Sequence, residues 1–193
     1  MLQFDATPPT DPNGQPLPIR RTPPTGSLIA VVTSKTLIGT STHFYGGRTV
    51  PCTHETCEAC QDGTPYRWHA YLSAYDVSKK LHFLLECTAA AAETFVKYAA
   101  EHETLRGCVF HAKRTNKRQN ARVEIDTHVY TGSDKDLPNG ADLVGALARL
   151  WNIPLTQIQT PAGRETQRAL KVLAERQNSF TNANNPAGNG ETL

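Results

Sequence analysis

Tyr66–Asp76 reads YRWHAYLSAYD and alternates without a break. Tyr66, Trp68, Ala70, Leu72 and Ala74 fall on one face, and Arg67, His69, Tyr71, Ser73 and Tyr75 on the other. Successive side chains of a β-strand point to opposite faces, so this predicts a strand with one face in a core and a polar face outside. Leu81–Cys87 repeats the pattern, with Leu81, Phe83, Leu85 and Cys87 opposite His82, Leu84 and Glu86. The intervening Asp76–Lys80 is polar and short, which makes the pair a hairpin.

Working outward, Ser27–Thr33 (SLIAVVT) and Thr36–Tyr45 read as two earlier strands. After the hairpin, Thr88 is a fitting N-cap for a helix over Ala89–Glu103, with Phe95, Val96 and Ala99 on its apolar side. Gly107–Arg114 and Asn120–Val129 form two more strands around the polar turn Thr115–Gln119. Helices follow at Gly140–Trp151 and about Arg164–Gln177, separated by Pro154, Pro161 and Gly163. Leu143, Leu147, Leu150 and Trp151 recur at helical spacing, as do Leu170 and Leu173, so both helices are expected to pack on the sheet. The fold class is mainly β (α+β). One helix ahead of the last hairpin suits an OB-like antiparallel barrel, and an α+β sandwich of another topology fits the same order.

The chain has 193 residues, enough for one domain with tails. Seven of its 13 prolines lie in residues 1–26, which hold too little apolar surface to offset ordering, so this segment reads as a disordered arm. Residues 27–130 form the expected domain, 131–177 a C-terminal helical extension, and 178–193, rich in Asn and Gly, a flexible tail. The longest apolar runs, Leu28–Val32 and Ala89–Ala92, are far short of the ~18 residues a membrane span needs. The N-terminus lacks the apolar stretch of a secretory signal, so a cytoplasmic protein of a prokaryote or a phage-infected cell is expected.

His43–Cys60 reads HFYGGRTVPCTHETCEAC and contains Cys52-x4-Cys57-x2-Cys60. Three thiols within nine residues suit a tetrahedral zinc ion, and a reduced compartment disfavours a disulfide. The fourth ligand is left open between His43, which would fold back from the preceding strand, the cramped His54, and a distant residue such as His69. Four protein ligands would make the zinc structural, since no position remains for water. Cys87 and Cys108 read as ordinary core residues. The His-x-Glu of zinc deaminases is missing before the cluster, as are phosphate-loop, dinucleotide and nucleophile-elbow motifs, so no enzyme activity is expected.

Net charge is only +2, but Arg106–Arg122 carries Arg106, Lys113, Arg114, Lys117, Arg118 and Arg122 without an acid. Cations follow phosphates while rings stack on bases, so this hairpin and the polar face of Arg67–Tyr75 together predict a site for single-stranded nucleic acid. Its expected residues are Arg48, Arg67, His69, Tyr71, Tyr75, Lys113, Arg114, Lys117, Arg118 and Arg122.

A strand ending near a His, then a Cys and a closing Cys-x-x-Cys, resembles the zinc-containing single-stranded DNA-binding proteins of T-even phages. The resemblance covers residues 27–130 and rests on ligand order. It implies an OB-fold with structural zinc on His43, Cys52, Cys57 and Cys60. The spacing of the ligands is shorter here, and the acidic tail of that family is lacking: among residues 178–193 only Glu191 carries a side-chain acid. The expected function is therefore largely sequence-independent binding of single-stranded DNA, with RNA as the alternative ligand, in replication or recombination of a phage, plasmid or bacterium. Replication or recombination proteins would be its partners. The competing reading is a zinc-knuckle adaptor that joins proteins, and an enzyme's accessory domain is the third.

Overall fold

Strong alternation of apolar and polar residues builds a mainly β structure with three α-helices among the described residues. The computed structural model describes residues 17–116, 118 and 121–154. Lys117, the expected helix 164–177 and the expected tail 178–193 lie outside the described residues. The strands are β1 (Ile19–Arg20), β2 (Ser27–Val32), β3 (Ile38–Tyr45), β4 (Arg48–Pro51), β5 (Tyr66–Asp76), β6 (Leu81–Thr88), β7 (Cys108–Arg114) and β8 (Val123–Val129). The helices are α1 (Glu58–Gln61), α2 (Ala89–His102) and α3 (Leu143–Trp151).

All strands join one mixed sheet in the order β1-β6-β5-β2-β7-β8, with β3 on β5 and β4 on β3. β5 is long enough to take two partners along one edge. Its first half pairs Tyr66–Tyr71 with His43–Ile38 of β3, and its second half pairs Ala74 and Tyr75 with Val32 and Val31 of β2. The sheet is open, not the closed barrel expected. β1 occupies the outer edge of β6 in parallel, with Ile19 opposite Leu84, so that edge is not free for β8.

Each face of the sheet has its own helix. Ala70, Leu72 and Ala74 of β5, with Phe83, Leu85 and Cys87 of β6, bury against Ala91, Ala92, Phe95 and Tyr98 of α2 in the larger core. Ala30, Val32, Phe110 and Ala112 extend this core across β2 and β7. The rings of Phe95 and Phe110 meet edge to face at 5.5 Å. Val96, expected on the packed side of α2, is exposed instead, because the buried stripe runs through Ala91, Phe95 and Tyr98. On the opposite face, Tyr71 and Leu84 pack with Leu143, Ala146 and Leu147 of α3. Asp142 caps α3 by accepting from the Gly145 N–H at 3.0 Å, and α3 belongs to the same compact unit as the sheet. Leu150 points away from this packing and is exposed.

The described part of the expected N-terminal arm, residues 17–26, is built into the sheet. Leu17 and Ile19 pack with the α3 cluster, and the Leu84 N–H donates to the Pro18 carbonyl at 3.0 Å. Among the described residues no helix is long and apolar enough to cross a membrane.

Phe95 is fully buried at the centre of the larger core. Phe95→Ala should therefore cost about 3–5 kcal/mol of stability, measured by urea unfolding of the metal-loaded chain.

Candidate metal centre

The β3–β4 hairpin turns through Gly46 and Gly47, whose φ values of 57° and 78° both lie in the left-handed region. A two-residue turn with two such residues matches the twist of its strands and favours glycine strongly. The register sets His43 opposite Val50. Cys52, two residues beyond Val50, returns to the same face as His43, and its N–H donates to the Ser41 carbonyl at 2.8 Å. A single 3-10 turn at His54–Thr56 and the short α1 then fold the chain back. The knuckle is closed by Gly63 N–H to Cys60 O at 3.0 Å and Thr64 N–H to Ala59 O at 2.8 Å. Tyr45 ties the hairpin to the end of α1 by donating its hydroxyl to Asp62 at 2.5 Å.

This brings His43, Cys52, Cys57 and Cys60 together, with their ligand atoms all within 4.8 Å of one another, a cluster able to hold a metal ion. The Nδ1 of His43 lies 3.0 Å from the Thr64 carbonyl. A carbonyl only accepts, so Nδ1 carries the proton and Nε2 is left as the ligand atom. That Nε2 is 3.4 Å from Cys60 Sγ, which is 3.5 Å from Cys52 Sγ. Tetrahedral ligands about 2.0–2.3 Å from one ion lie about 3.5–3.8 Å apart, so the spacing fits. The open choice of fourth ligand falls to His43. His54 is exposed, with its Nδ1 4.0 Å from Cys52 Sγ, and stays outside the cluster. His69 is bonded elsewhere, to Thr42 Oγ1 at 2.6 Å.

The thiols differ in acidity. Burial opposes ionisation of Cys57, but backbone N–H groups at Cys60 and Thr53, the Cys60 thiol and the His43 charge outweigh it and bring its pKa to about 6. The hydrogen bond to Cys52, burial and the neighbouring Cys57 push Cys60 up to about 11. One thiolate forms readily and a second is resisted by the first. A divalent cation removes that resistance.

The polar face of β5 is arranged differently from the sequence expectation. Tyr71, expected to be open to a base, is fully buried beneath α3, its ring edge-on to Trp151 at 5.5 Å. Burial and the nearby Glu86 charge raise its pKa, and its hydroxyl donates to Glu86 Oε2 at 3.3 Å. The other oxygen of Glu86 accepts from Arg21 Nε at 2.5 Å, while Arg21 Nη2 donates to Thr49 Oγ1 at 2.5 Å. His69 is half-buried, and Tyr75 is half-buried with its ring edge-on to His82 at 6.3 Å.

The basic hairpin is also less free than its sequence suggests. Strand pairing sets Glu124 of β8 opposite Lys113, 3.7 Å from its Nζ. Arg114 donates to the Thr22 and Ala121 carbonyls at 3.0 and 2.9 Å. Arg106 holds Asp134 at 2.7 Å and the Thr33, Leu137 and Pro138 carbonyls. Arg48, Arg67, Arg118 and Arg122 remain exposed. Arg67 pairs with Thr42 and Lys113 with Ser27, so the knuckle and the basic turn lie toward opposite ends of the β2–β3 segment. Alternation does not reveal the exposed rings of Phe44 (67%), Tyr66 (65%) and Trp68 (39%) near the knuckle. It assigns Tyr66 and Trp68 to the core face, and only the reach of α2 shows where that core stops.

No protein-family model matches the chain, and no curated protein or solved structure matches it either.

Two outcomes are expected. Elemental analysis should find one divalent metal per chain, and Cys57→Ser should remove it and lower stability by several kcal/mol in thermal unfolding. Burial, opposed by Glu86, holds the His69 pKa below 6.5. The unfolded chain thus takes up this proton more readily, and the associated stability is present above about pH 6.5 and lost as pH falls below it. His69→Gln should flatten that part of the stability–pH curve, measured against unmodified protein with equal metal content.

Proposed function

We propose that the chain is a zinc-stabilised, OB-like domain that binds single-stranded DNA with little sequence preference. Three thiolates and an imidazole in tetrahedral spacing are a donor set that favours zinc, and four protein ligands leave no position for water. The ion's work is then to hold the knuckle.

The observation that carries the binding reading is where two features fall in the strand order. Treating β2 and β3 as one interrupted strand, the order is β6-β5-β2-β7-β8, with α2 between the third and fourth strands in sequence. OB-folds engage oligonucleotides through a strand face and through the loops joining strands one to two and four to five. Here the first of those connections bears the metal knuckle, beside Arg48, Phe44 and Tyr66, and the second bears Arg118 and Arg122. A ligand meeting both would cross the sheet, which suits an extended single strand. Action in replication or recombination of a phage, plasmid or bacterium follows from this reading. The exposed apolar ring of Phe44 favours the second reading, an adaptor that docks a protein.

A salt titration separates the two. Affinity for a single-stranded oligonucleotide should fall with salt, with a log–log slope of about −0.7 per neutralised phosphate, and should exceed that for a duplex of the same sequence. An RNA of that sequence tests the choice of sugar. Arg118→Ala with Arg122→Ala should flatten the slope by about 0.7 for each phosphate left without its cation. Absence of oligonucleotide binding by the metal-loaded protein at low salt would leave the adaptor.

A further inference from the structure

Among the described residues, two of the three exposed aromatic rings, those of Tyr66 and Trp68, belong to β5, two residues apart on one face. The indole of Trp68 lies across the neighbouring strand on Gly39. A Cβ at residue 39 would come within 1.8 Å of the ring's Cζ2, so any larger residue would displace the indole. One side of the ring is thereby set against backbone, and Trp68 is still 39% exposed. Tyr66 is 65% exposed, and its ring stands edge-on to the His43 imidazole at 6.2 Å. His43 is itself held by Thr64 and the sulfurs, so the knuckle orients the tyrosine. Neither ring contributes to either hydrophobic core, so packing alone does not account for two large aromatics at this place.

From this we propose that Trp68 and Tyr66 form a stacking site for two successive unpaired bases. The inference rests on the single-strand-binding reading above and gives it a location. Residues two apart on a strand are about 6.6–6.8 Å apart, about twice the 3.4 Å interval of stacked bases in a duplex. Bases taken by both rings must therefore be unstacked, which a single strand permits and a duplex does not. Every base has a π-face, so such a site is tolerant of sequence. A neighbouring phosphate has an exposed cation on the same face and at the same end of the sheet in Arg48, which β4 sets opposite Tyr45, whereas Arg67, between the two rings in sequence, projects from the other face. Among the described residues neither forms an ion pair.

The test uses the metal-loaded full chain and a fluorescein-labelled thymidine oligonucleotide of about 16 nucleotides, the upper end of an OB-type site. Trp68→Leu should weaken binding by about 5- to 150-fold, the equivalent of removing one stack. Trp68→Phe should recover most of that loss. Gly39→Ala, which keeps the indole but pushes it off its seat, should weaken binding too. Metal content and melting temperature are read in parallel. If Trp68→Leu keeps its metal and binds as tightly as the unmodified protein, the stacking site is overturned while single-strand binding stands. If the unmodified protein binds no oligonucleotide at low salt, both fall. Where a variant loses its metal or unfolds, photocrosslinking of the unmodified protein to a bromodeoxyuridine oligonucleotide decides. Crosslinks at Trp68 or Tyr66 support the site, and crosslinks confined to other segments overturn it.

Discussion

β5 pairs along one edge with two different strands, and most of the architecture is a consequence of that. Its second half meets β2 and so joins the β7–β8 hairpin to the sheet. Its first half meets β3 and so carries β4 and the knuckle. Because side chains alternate, the same strand also divides the interior. Ala70, Leu72 and Ala74 serve the α2 core, while Tyr71 serves the α3 cluster. A slip of one residue would exchange these sets and put Tyr71 among the small residues that fit beneath α2.

The metal cluster depends on this register but also has a second tether. Arg21, next to β1, bonds Glu86 of β6 and Thr49 of β4, so one guanidinium joins the N-terminal segment, the sheet centre and the metal hairpin. Glu86 is almost wholly buried, and Arg21 with Tyr71 supplies its partners. A buried carboxylate without a cation is costly, so removing Arg21 would disturb more than one surface interaction. The mutual approach of the thiols is likewise held by backbone: the Gly46–Gly47 turn, the Cys52 pairing to Ser41 and the closed turn at Gly63.

The six longer strands and α2 were legible because period and caps are local properties, whereas β1, in the segment read as a disordered arm, and β4, ahead of the cysteines, were not. Tyr66–Asp76 forms β5 over that same span, and the β7 and α2 ends differ from expectation by a residue. The three thiols of the candidate metal cluster were legible because their close spacing in the chain suits a shared tetrahedral ion. The fourth ligand was not, since choosing between His43 and His54 needs the β3–β4 register. The polar face of β5 misled for a physical reason: alternation separates two faces but does not say that a second helix covers the other one. Tyr71 is polar enough for a surface and large enough for a core, and α3 with Glu86 makes it the latter. The acid-free run Arg106–Arg122 misled similarly, because Glu124 and Asp134 approach it only through pairing and folding.

An open sheet has ends, and β8 is one of them. Among the described residues its outer edge carries no strand, leaving a row of backbone donors and acceptors facing outward. Such an edge invites a second chain to add itself. Glu124 and Asp126 project from that strand on the face α2 does not cover, and both are exposed. Two copies pairing antiparallel about Asp126 would set like charges directly opposite each other, which is unfavourable. In that pairing Asp126 meets its own copy, so this side chain disfavours self-association by strand addition at the β8 edge.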